Sequence, residues 1–300
     1  GIGSDKVKDY YGDGEKFGAK FTYIKQDFPK GIAHAVSLCK DFVNDEKFVV
    51  FLGDNIIQRE INEYVLNFEK SNAVASLLLC EVNNPSQFGI AEIKNSKIIK
   101  ITEKPKNPPT NLAVTGIYFL TPYIFEIIKK LKPSWRNELE IADALQMLVE
   151  EEKEIIYGMI TDFWKDTGTP NDIIEANRII LENMTGSFQG KKEEKVILEG
   201  KVMVGEGTII KNGVKIIGPT IIGKNCVIEN GTVIGENTSI GDNSHLSYCT
   251  ISNSIIMSNC IIEGKLDIKN SIIASNSKII KEQNENSKKF LLGEGTQISL

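Results

Sequence analysis

Hydrophobic and polar positions follow two different patterns along this chain of 300 residues. From residue 1 to about 184, short apolar runs alternate with stretches of helical period, which is typical of α/β domains built from βαβ units. Strands are predicted over 20–25, 48–52, 73–80, 88–93, 97–102 and 113–120, and helices over 31–43, 60–70, 122–131 and 138–152. A closing helix is predicted to begin at Pro170 with Thr169 as its N-cap, and Gly186 follows its end.

After the polar stretch 186–195, a large aliphatic residue recurs at every sixth position. The series is Leu198, Val204, Ile210, Ile216, Ile222, Ile228, Ile234, Ile240 and Leu246, and small or β-branched residues stand two positions before its members. Such a period predicts a parallel β-helix in which three hexapeptides complete a coil and the aliphatic residues point inward. Gly205, Gly223 and Asn225 are among the glycines and asparagines expected at corners with positive φ.

The repeat is expected to become less regular after Leu246, because the period of six is interrupted there and resumes at Ile256. The last eleven residues, 290–300, are predicted to form a final strand or cap.

Composition narrows the class of function. A net charge of −5 argues against nucleic acid or an anionic membrane as the main partner. No apolar run reaches the roughly 20 residues that span a bilayer, and the first residues lack a signal-peptide core, so a cytoplasmic protein is expected. The five cysteines lack CxxC spacing, which favours reduced thiols over disulfides or a zinc site.

Two aspartates occupy similar positions at the ends of predicted strands. Asp54 follows the apolar run 48–52, and Asp166 follows a shorter run and precedes the closing helix. The run 48–52 shows no polar alternation, so a strand covered on both faces is expected, with Asp54 at its carboxyl end, where ligands bind in α/β sheets. The two carboxylates are candidate Mg²⁺ ligands, although each could equally be an ordinary loop or capping residue.

Two further pairs of residues suggest binding chemistry. Glu103 beside Lys104 combines a hydroxyl acceptor with a phosphate-binding ammonium, although the prolines that follow also fit a plain surface loop. Gln26 precedes Gly31 by five residues, so an amide able to read a base would lie near a glycine that lets a flat ring approach. The alternative for Gly31 is a simple turn.

Seven ordered segments together carry a family resemblance. They are YIKQDFPKGIAHA, FLGDNI, QFGIAEI, EKPKNPP, AVTGIYFLTP, KPSWRNELEIADAL and FWKDTGTPNDIIEANRIIL. With the hexapeptide repeats behind them, the chain resembles the sugar-phosphate nucleotidylyltransferases, in particular the long form of glucose-1-phosphate thymidylyltransferase. The resemblance implies a Rossmann-like nucleotidyltransferase domain over 1–184, a linker over 185–195 and a left-handed parallel β-helix with a tail over 196–300.

The resemblance also implies a reaction and a set of site residues. A sugar-1-phosphate oxygen, here expected to be that of glucose-1-phosphate, attacks the α-phosphate of a nucleoside triphosphate, expected to be dTTP, and releases pyrophosphate. The residues implied are Gln26 and Gly31 at the base, Asp54 and Asp166 on Mg²⁺, Gly89, Glu103, Val114 and Gly116 at the sugar, and Lys104 and Arg136 at the phosphates. In such a transfer, the protein mainly positions the two substrates and compensates the charge of their phosphates.

The sequence departs from the family pattern at its beginning. The family's first strand, its glycine-rich phosphate loop and a lysine motif would lie before residue 1, a stretch of about 55 to 65 residues in the family layout. Little or no transferase activity is therefore expected from these 300 residues alone. Asn137 and Ala142 also replace a glycine and a threonine of the family pattern.

Two other functions stay open at this stage. The β-helix could carry an acyltransferase activity towards an amino-sugar phosphate, with His245 as general base, although a histidine at a coil corner is usually a solvated turn residue. The chain could also be a non-catalytic assembly subunit. A homo-oligomer, either a trimer or a tetramer, is expected under each interpretation.

Overall fold

The computed structural model describes residues 4–281, so the strand or cap predicted for 290–300 lies outside the described part. Contacts between residues divide the chain into two units, Gly1–Asp166 and Thr167–Leu300. This division groups the closing helix with the repeats, whereas the predicted boundary at 184 assigns that helix to the first domain.

The first unit combines short helices with one six-stranded sheet and a separate pair of strands. Its helices are α1 (Ser4–Tyr11), α2 (Ile32–Ser37), α3 (Lys40–Val43), α4 (Asn62–Lys70), α5 (Tyr123–Ile128) and α6 (Ile141–Glu150), with 3₁₀ turns at Glu15–Phe17 and Pro85–Gln87. Its strands are β1 (Phe48–Phe51), β2 (Asn55–Ile57), β3 (Ala75–Glu81), β4 (Gly89–Lys94), β5 (Lys97–Glu103), β6 (Leu112–Leu120), β7 (Ile155–Ile160) and β8 (Trp164–Asp166).

The sheet runs in the order β5-β4-β6-β3-β7, with β1 also paired to β6. Strand β3 lies between β6 and β7 and is buried on both faces. Leu77 and Leu79 pack with α2, α5 and α6, whereas Leu78 and Cys80 pack with α4 and β8. An uninterrupted apolar run is what such a three-layer arrangement requires.

Three expectations for this unit are wrong. Residues 20–25 form no strand, because no described strand pairs with them. Strand β1 is not covered on both faces, because it pairs only with β6 and leaves Val49 40% and Phe51 43% exposed. Parallel pairing is limited to β3 with β7, whereas β1, β3, β4, β5 and β6 pair with one another in antiparallel fashion.

The second unit begins with α7 (Pro170–Glu182) and continues into short strands. Thr169 and Asp172 form a capping box at the helix start, as the predicted N-cap requires. The strands are β9 (Ser187–Phe188), β10 (Lys191–Lys192), β11 (Ile197–Glu199), β12 (Val202–Val204), β13 (Ile209–Ile210), β14 (Lys215–Ile217), β15 (Thr220–Ile222), β16 (Val227–Ile228), β17 (Val233–Ile234), β18 (Thr238–Ile240), β19 (His245–Ser252), β20 (Ile255–Ile256), β21 (Ile261–Lys269), β22 (Ile272–Ile273) and β23 (Lys278–Ile280).

The register of these strands confirms the predicted parallel β-helix. Lys191 pairs with Ile209 and Ile209 with Val227, so successive coils are 18 residues apart, which is three hexapeptides. The predicted aliphatic series from Val204 to Leu246 is buried, and so are the residues two positions before its members. After Leu246 the spacing shortens, because His245 pairs with Ile261 and Ile261 with Lys278.

The corners of the coils use glycine and asparagine for two different reasons. Asn225 has the expected positive φ of 54°. Gly205 does not have a positive φ and is required for space instead, because a Cβ there would lie 2.7 Å from the backbone of Gly223 in the next coil. The prediction of positive φ at Gly205 and Gly223 is therefore wrong, although glycine is needed at Gly205.

Adjacent residues of β13 provide a test of the inward-facing core. Ile210 is fully buried, and its neighbour Ile209 is 38% exposed on the outer face. We expect Ile210→Ala to lower the free energy of unfolding by about 2–5 kcal/mol, because it leaves a cavity, and Ile209→Ala to cost about 1 kcal/mol or less. Urea unfolding followed by circular dichroism measures both, and equal losses would contradict the inside-outside assignment.

Candidate active site

The strand pair β2–β8 brings together the backbone segments that carry the two candidate metal ligands. Asn55 of β2 lies opposite Asp166 of β8 in antiparallel register, so Asp54 is adjacent to the residue that faces Asp166. Facing residues in such pairs have Cα atoms about 4.5–5.5 Å apart. Residues 111 positions apart in the chain, Asn55 and Asp166, are thus neighbours, and the two carboxylate-bearing segments meet at one edge.

Asn55 is a residue of this site that the sequence interpretation missed. Its Nδ2 donates to Asp54 Oδ1 at 2.8 Å, while its Oδ1 accepts from Trp164 Nε1 at 2.7 Å and from the backbone N–H of Gly116 at 3.2 Å. The amide therefore links β2 to β6 and β8 and orients the Asp54 carboxylate. In the sequence, the signal that could have identified Asn55 as a site residue is its position directly after Asp54.

The described residues contain no group of three or more His, Cys, Asp and Glu side chains that could hold a metal ion by themselves. Asp54 and Asp166 nevertheless fit a magnesium site of another kind, in which one or two carboxylates bind the cation and substrate phosphates and water supply the remaining oxygens. The oriented carboxylate of Asp54 is what such a site requires.

Glu103 lies in a second acidic region, at the end of β5. It pairs with Gly89 of β4, and a Cβ on Gly89 would lie 3.3 Å from Glu103 Oε2 and 3.7 Å from Ala142. Burial raises the pKa of the Glu103 carboxyl, and the nearby charge of Glu140 raises it further, against the opposing effects of Lys104 and Arg136.

Buried Tyr118 connects the two acidic regions electrostatically. Burial raises the pKa of the Tyr118 phenol, and the carboxylates of Glu103 and Asp54 raise it further.

Arg136 is held beside Glu103 by a buried carboxylate. Its Nε donates to Glu140 Oε1 at 3.1 Å and its Nη2 to Glu140 Oε2 at 2.7 Å, which is a bidentate arrangement, and Nη2 also lies 3.4 Å from Glu103. Ser134 donates its hydroxyl to the same Glu140 Oε1 at 2.7 Å. Within residues 4–281, Nη1 of Arg136 makes no hydrogen bond, so its N–H groups can donate to an anionic ligand.

The other predicted sugar and phosphate residues occupy β5, β6 and the turn after β5. Val114 is buried in β6, and Gly116 has no space for a side chain, because a Cβ would lie 2.5 Å from the amide of Asn55. Lys104 is exposed, has a positive φ of 41° and forms no ion pair with the described residues.

Gln26 and Gly31 contact each other in the segment before and at the start of α2. Gln26 Nε2 donates to the carbonyl of Gly31 at 3.3 Å and lies 2.8 Å from Nδ1 of His34, a residue that the sequence interpretation did not consider. Gly31 has a φ of 94°, and a Cβ there would lie 2.4 Å from the carbonyl oxygen of Leu139. In this structure, glycine at 31 is thus required by backbone conformation and packing.

His245, the candidate acyltransferase base, lies on an outer face of the β-helix. Its Nε2 is 3.7 Å from Glu229 Oε1, and its side chain is 41% exposed.

Comparison with known proteins assigns the family. The nucleotidyl transferase family model matches residues 3–183, and a GMPPB C-terminal domain model matches residues 216–299. The chain belongs to the nucleotidyl transferase family. The predicted enzyme class, a nucleotidyltransferase, is confirmed, and the relatives support activity on sugar-1-phosphates. Members of the family generally use a divalent metal.

Individual relatives resemble most of the chain. A glucose-1-phosphate thymidylyltransferase of Streptomyces antibioticus is 37% identical over 96% of this chain and 82% of its own length. A low-salt glycan biosynthesis nucleotidyltransferase of Haloferax volcanii is 37% identical over 99% of this chain and 84% of its own length. A crystal structure of a Bacillus anthracis protein assigned as a glucose-1-phosphate thymidylyltransferase, in complex with sucrose, is 41% identical over 61% of this chain and 74% of its own, with a TM-score of 0.56.

None of the helices within residues 4–281 is both long and apolar enough to cross a membrane.

The raised pKa of Glu103 leads to a prediction about how the stability of the fold depends on pH. Because the folded state holds the Glu103 proton more tightly than the unfolded state, ionising this carboxyl destabilises the fold as pH rises from its ordinary pKa through the raised value. Glu103→Gln cannot ionise, so we expect it to melt at a higher temperature than wild type at pH 7, with a smaller difference at pH 4. Differential scanning calorimetry measures this, with exposed Glu69→Gln as the control. A lower melting temperature for Glu103→Gln at pH 7 would contradict the prediction.

Proposed function

We propose that this protein transfers a thymidylyl group from dTTP to glucose-1-phosphate, using Mg²⁺. The phosphate oxygen of the sugar attacks the α-phosphorus, the bond from that phosphorus to the oxygen bridging to the β-phosphate breaks, and pyrophosphate leaves with its electrons. The observation that carries the proposal is the β2–β8 register, in which Asp54 adjoins the residue opposite Asp166. Thymidylyl transfer to glucose-1-phosphate is the activity in the name of the Streptomyces antibioticus relative.

The metal role follows from the two aspartates. Asp54 and Asp166 would hold Mg²⁺, which when bound neutralises triphosphate charge. Asn55 keeps the Asp54 carboxylate oriented through its 2.8 Å hydrogen bond. A fixed carboxylate loses less conformational entropy on binding, which favours a site that relies on only two protein ligands.

The sugar and phosphate roles divide between acidic and basic residues. Glu103 would accept hydrogen bonds from sugar hydroxyls, with Gly89, Val114 and Gly116 lining the same place. Arg136, through Nη1, and Lys104 would compensate the phosphate charges as the two substrates approach. Bidentate pairing with Glu140 fixes the direction of the Arg136 guanidinium.

Gln26 and Gly31 would contact the base. The cytoplasmic location and the homo-oligomer expected from the sequence belong to the same proposal.

A nucleotide-selection assay tests the function. The chain is incubated with glucose-1-phosphate, Mg²⁺ and, in separate reactions, dTTP, UTP, CTP, ATP or GTP, at protein concentrations high enough to detect a single turnover. We expect nucleotide sugar and pyrophosphate to form in equal amounts, at the low rate expected from the sequence, and fastest with dTTP. Product that forms only with ATP or GTP would contradict the proposal. Release of pyrophosphate without formation of nucleotide sugar would also contradict it.

Neutral substitutions test the metal ligands. We expect Asp54→Asn and Asp166→Asn each to slow product formation by roughly 100-fold or more, because each removes a charge that holds the cation against the triphosphate. Raising the Mg²⁺ concentration should recover part of the rate in both variants. Asp45→Asn, an exposed aspartate between α3 and β1, is the matched control and should keep the wild-type rate. Wild-type rates in both test variants would exclude these ligands.

A further inference from the structure

A cleft in the second unit lies between α7 and the corners of the later coils. Its volume is about 340 Å³, and its lining residues are Asn171, Ile174, Glu175 and Arg178 of α7 with Asn253 and Asn270 of the coils. The spacing of the four helical residues places them on one face of α7. The volume is near the lower end of the range for small-molecule sites. None of these residues belongs to the set proposed for nucleotidyl transfer.

Hydrogen bonds hold the two walls of the cleft in place. Asn177 of α7 donates its amide N–H to the carbonyl of Asn237 at 3.1 Å and accepts from the hydroxyl of Ser239 at 2.6 Å. At the end of the helix, Lys201 Nζ donates to the carbonyl of Glu182 at 2.7 Å. Because these bonds join the helix to the coils, a ligand does not have to order the walls on binding.

Asn253 contributes a buried polar atom that lacks a partner. Its Nδ2 donates to Oδ1 of Asn270 in the next coil at 2.7 Å, whereas its own Oδ1 is buried and accepts no hydrogen bond from residues 4–281. No other buried side-chain nitrogen or oxygen in that range is left in this state. Exchanging oxygen and nitrogen in both amides does not remove the deficit, since the atom left over is then an N–H donor. A hydroxyl group satisfies either orientation, because it both donates and accepts.

A second pair of corner asparagines shows what is particular to Asn253. Asn243 and Asn259 stack in the same way at another corner, with Asn243 Nδ2 donating to Asn259 Oδ1 at 3.2 Å, and both residues are exposed to water. Asn253 is half-buried beside α7, so its Oδ1 is out of contact with bulk water. A buried acceptor without a donor costs free energy. The terminal torsion of asparagine has a broad range, so the amide can turn towards a donor in the cleft.

Arg178 supplies a positive charge with a free edge. Its Nη1 donates to Oε1 of Glu182, one turn further along α7, whereas its Nε and Nη2 make no hydrogen bond within residues 4–281. Nε and Nη2 form one edge of the planar guanidinium, and such an edge donates two parallel hydrogen bonds to a phosphate. The carboxylate of Glu175 lines the same cleft and accepts from hydroxyls. These charges favour a ligand with one anionic end and one hydroxylated end over a plain anion.

We propose that this cleft binds a hydroxylated phosphate monoester of the size of a monosaccharide phosphate. The phosphate lies against the Nε–Nη2 edge of Arg178, and a hydroxyl group satisfies the amide of Asn253. Asn171 and Arg178 are separated by about 10 Å along the helix at 1.5 Å per residue, which suits one hexose ring with its phosphate. A nucleotide sugar, with a further phosphate, a ribose and a base, is too long for this cleft.

Calorimetry with glucose-6-phosphate, inorganic phosphate and glucose tests the charged end of the site. Glucose-6-phosphate is chosen because it is not a substrate of the proposed transfer. We expect it to bind more tightly than inorganic phosphate, and glucose to show no binding at millimolar concentrations. Arg178→Gln should weaken glucose-6-phosphate binding roughly tenfold or more, because charge-assisted hydrogen bonds are lost. Glu182→Gln is the control, since it keeps the guanidinium, and it should bind at least as tightly as wild type.

A glycine substitution tests the amide of Asn253. Glycine readily adopts the φ of 45° found at this corner, so Asn253→Gly removes the amide without straining the backbone. We expect it to weaken glucose-6-phosphate binding several-fold and to leave the affinity for inorganic phosphate unchanged. Asn259→Gly makes the same change at the exposed corner, where φ is 60°, and should leave both affinities unchanged.

Several results would overturn the site. Failure of glucose-6-phosphate to bind at millimolar concentrations would mean that the cleft holds only water. Equal losses in Asn253→Gly and Asn259→Gly would separate binding from the cleft. Binding that is lost in Arg136→Gln and kept in Arg178→Gln would place the ligand in the proposed transfer site instead. Each of these results leaves the proposed function standing, because neither dTTP nor glucose-1-phosphate is used.

Discussion

The side-chain amide of Asn55 joins the elements on which the candidate site depends. It donates to Asp54 and accepts from Trp164 and Gly116, so one residue connects the strand pair β2–β8 to strand β6 of the main sheet. The approach is so close that Gly116 has no room for a Cβ. Because the indole of Trp164 is buried, its N–H needs an acceptor, which is Oδ1 of Asn55. This hydrogen bond fixes the Asn55 amide, and the nitrogen of the same amide then orients the Asp54 carboxylate.

Negative charge predominates around Arg136. Arg136 lies within 4 Å of Glu103, Glu138 and Glu140, so one positive charge faces three carboxylates. Burial, together with the nearby charge of Glu140, explains the raised pKa of Glu103. Groups that donate hydrogen bonds, such as hydroxyls, suit this acidic region.

The sequence predicted those features that depend on residues close together in the chain or on a repeated pattern. The period of six determined the coil length of 18 residues, and the Thr169–Asp172 pair marked the start of α7. Features that depend on distant partners were not predictable in the same way. Apolar β3 and β1 look alike in sequence, yet only β3 is covered on both faces, because coverage is decided by helices far away in the chain.

For the same reason the candidate aspartates could be recognised by their positions after strands, whereas the supporting residues could not. The contact of Asn55 with Trp164 joins residues 109 positions apart, which local spacing does not reveal. Glu140 and His34 have partners near in sequence, but the directions of these side chains are determined by the fold. His34 stands one helical turn from Gly31, but its significance depends on the direction of the Gln26 side chain.

The segment that carries Gln26 and the loop that carries Arg136 are held together through the backbone around Gly31. The N–H of Leu139 donates to the carbonyl of Lys30, and the carbonyl of Leu139 accepts from the N–H of Ala33. Gly31 lies between these two bonds, and its missing side chain is what allows this approach. Gln26 is tied to Gly31, and Arg136 is tied to Glu140, the residue that follows Leu139. Backbone hydrogen bonds therefore hold the segment that carries Gln26 next to the segment that carries Arg136, so this arrangement does not have to be ordered by a ligand.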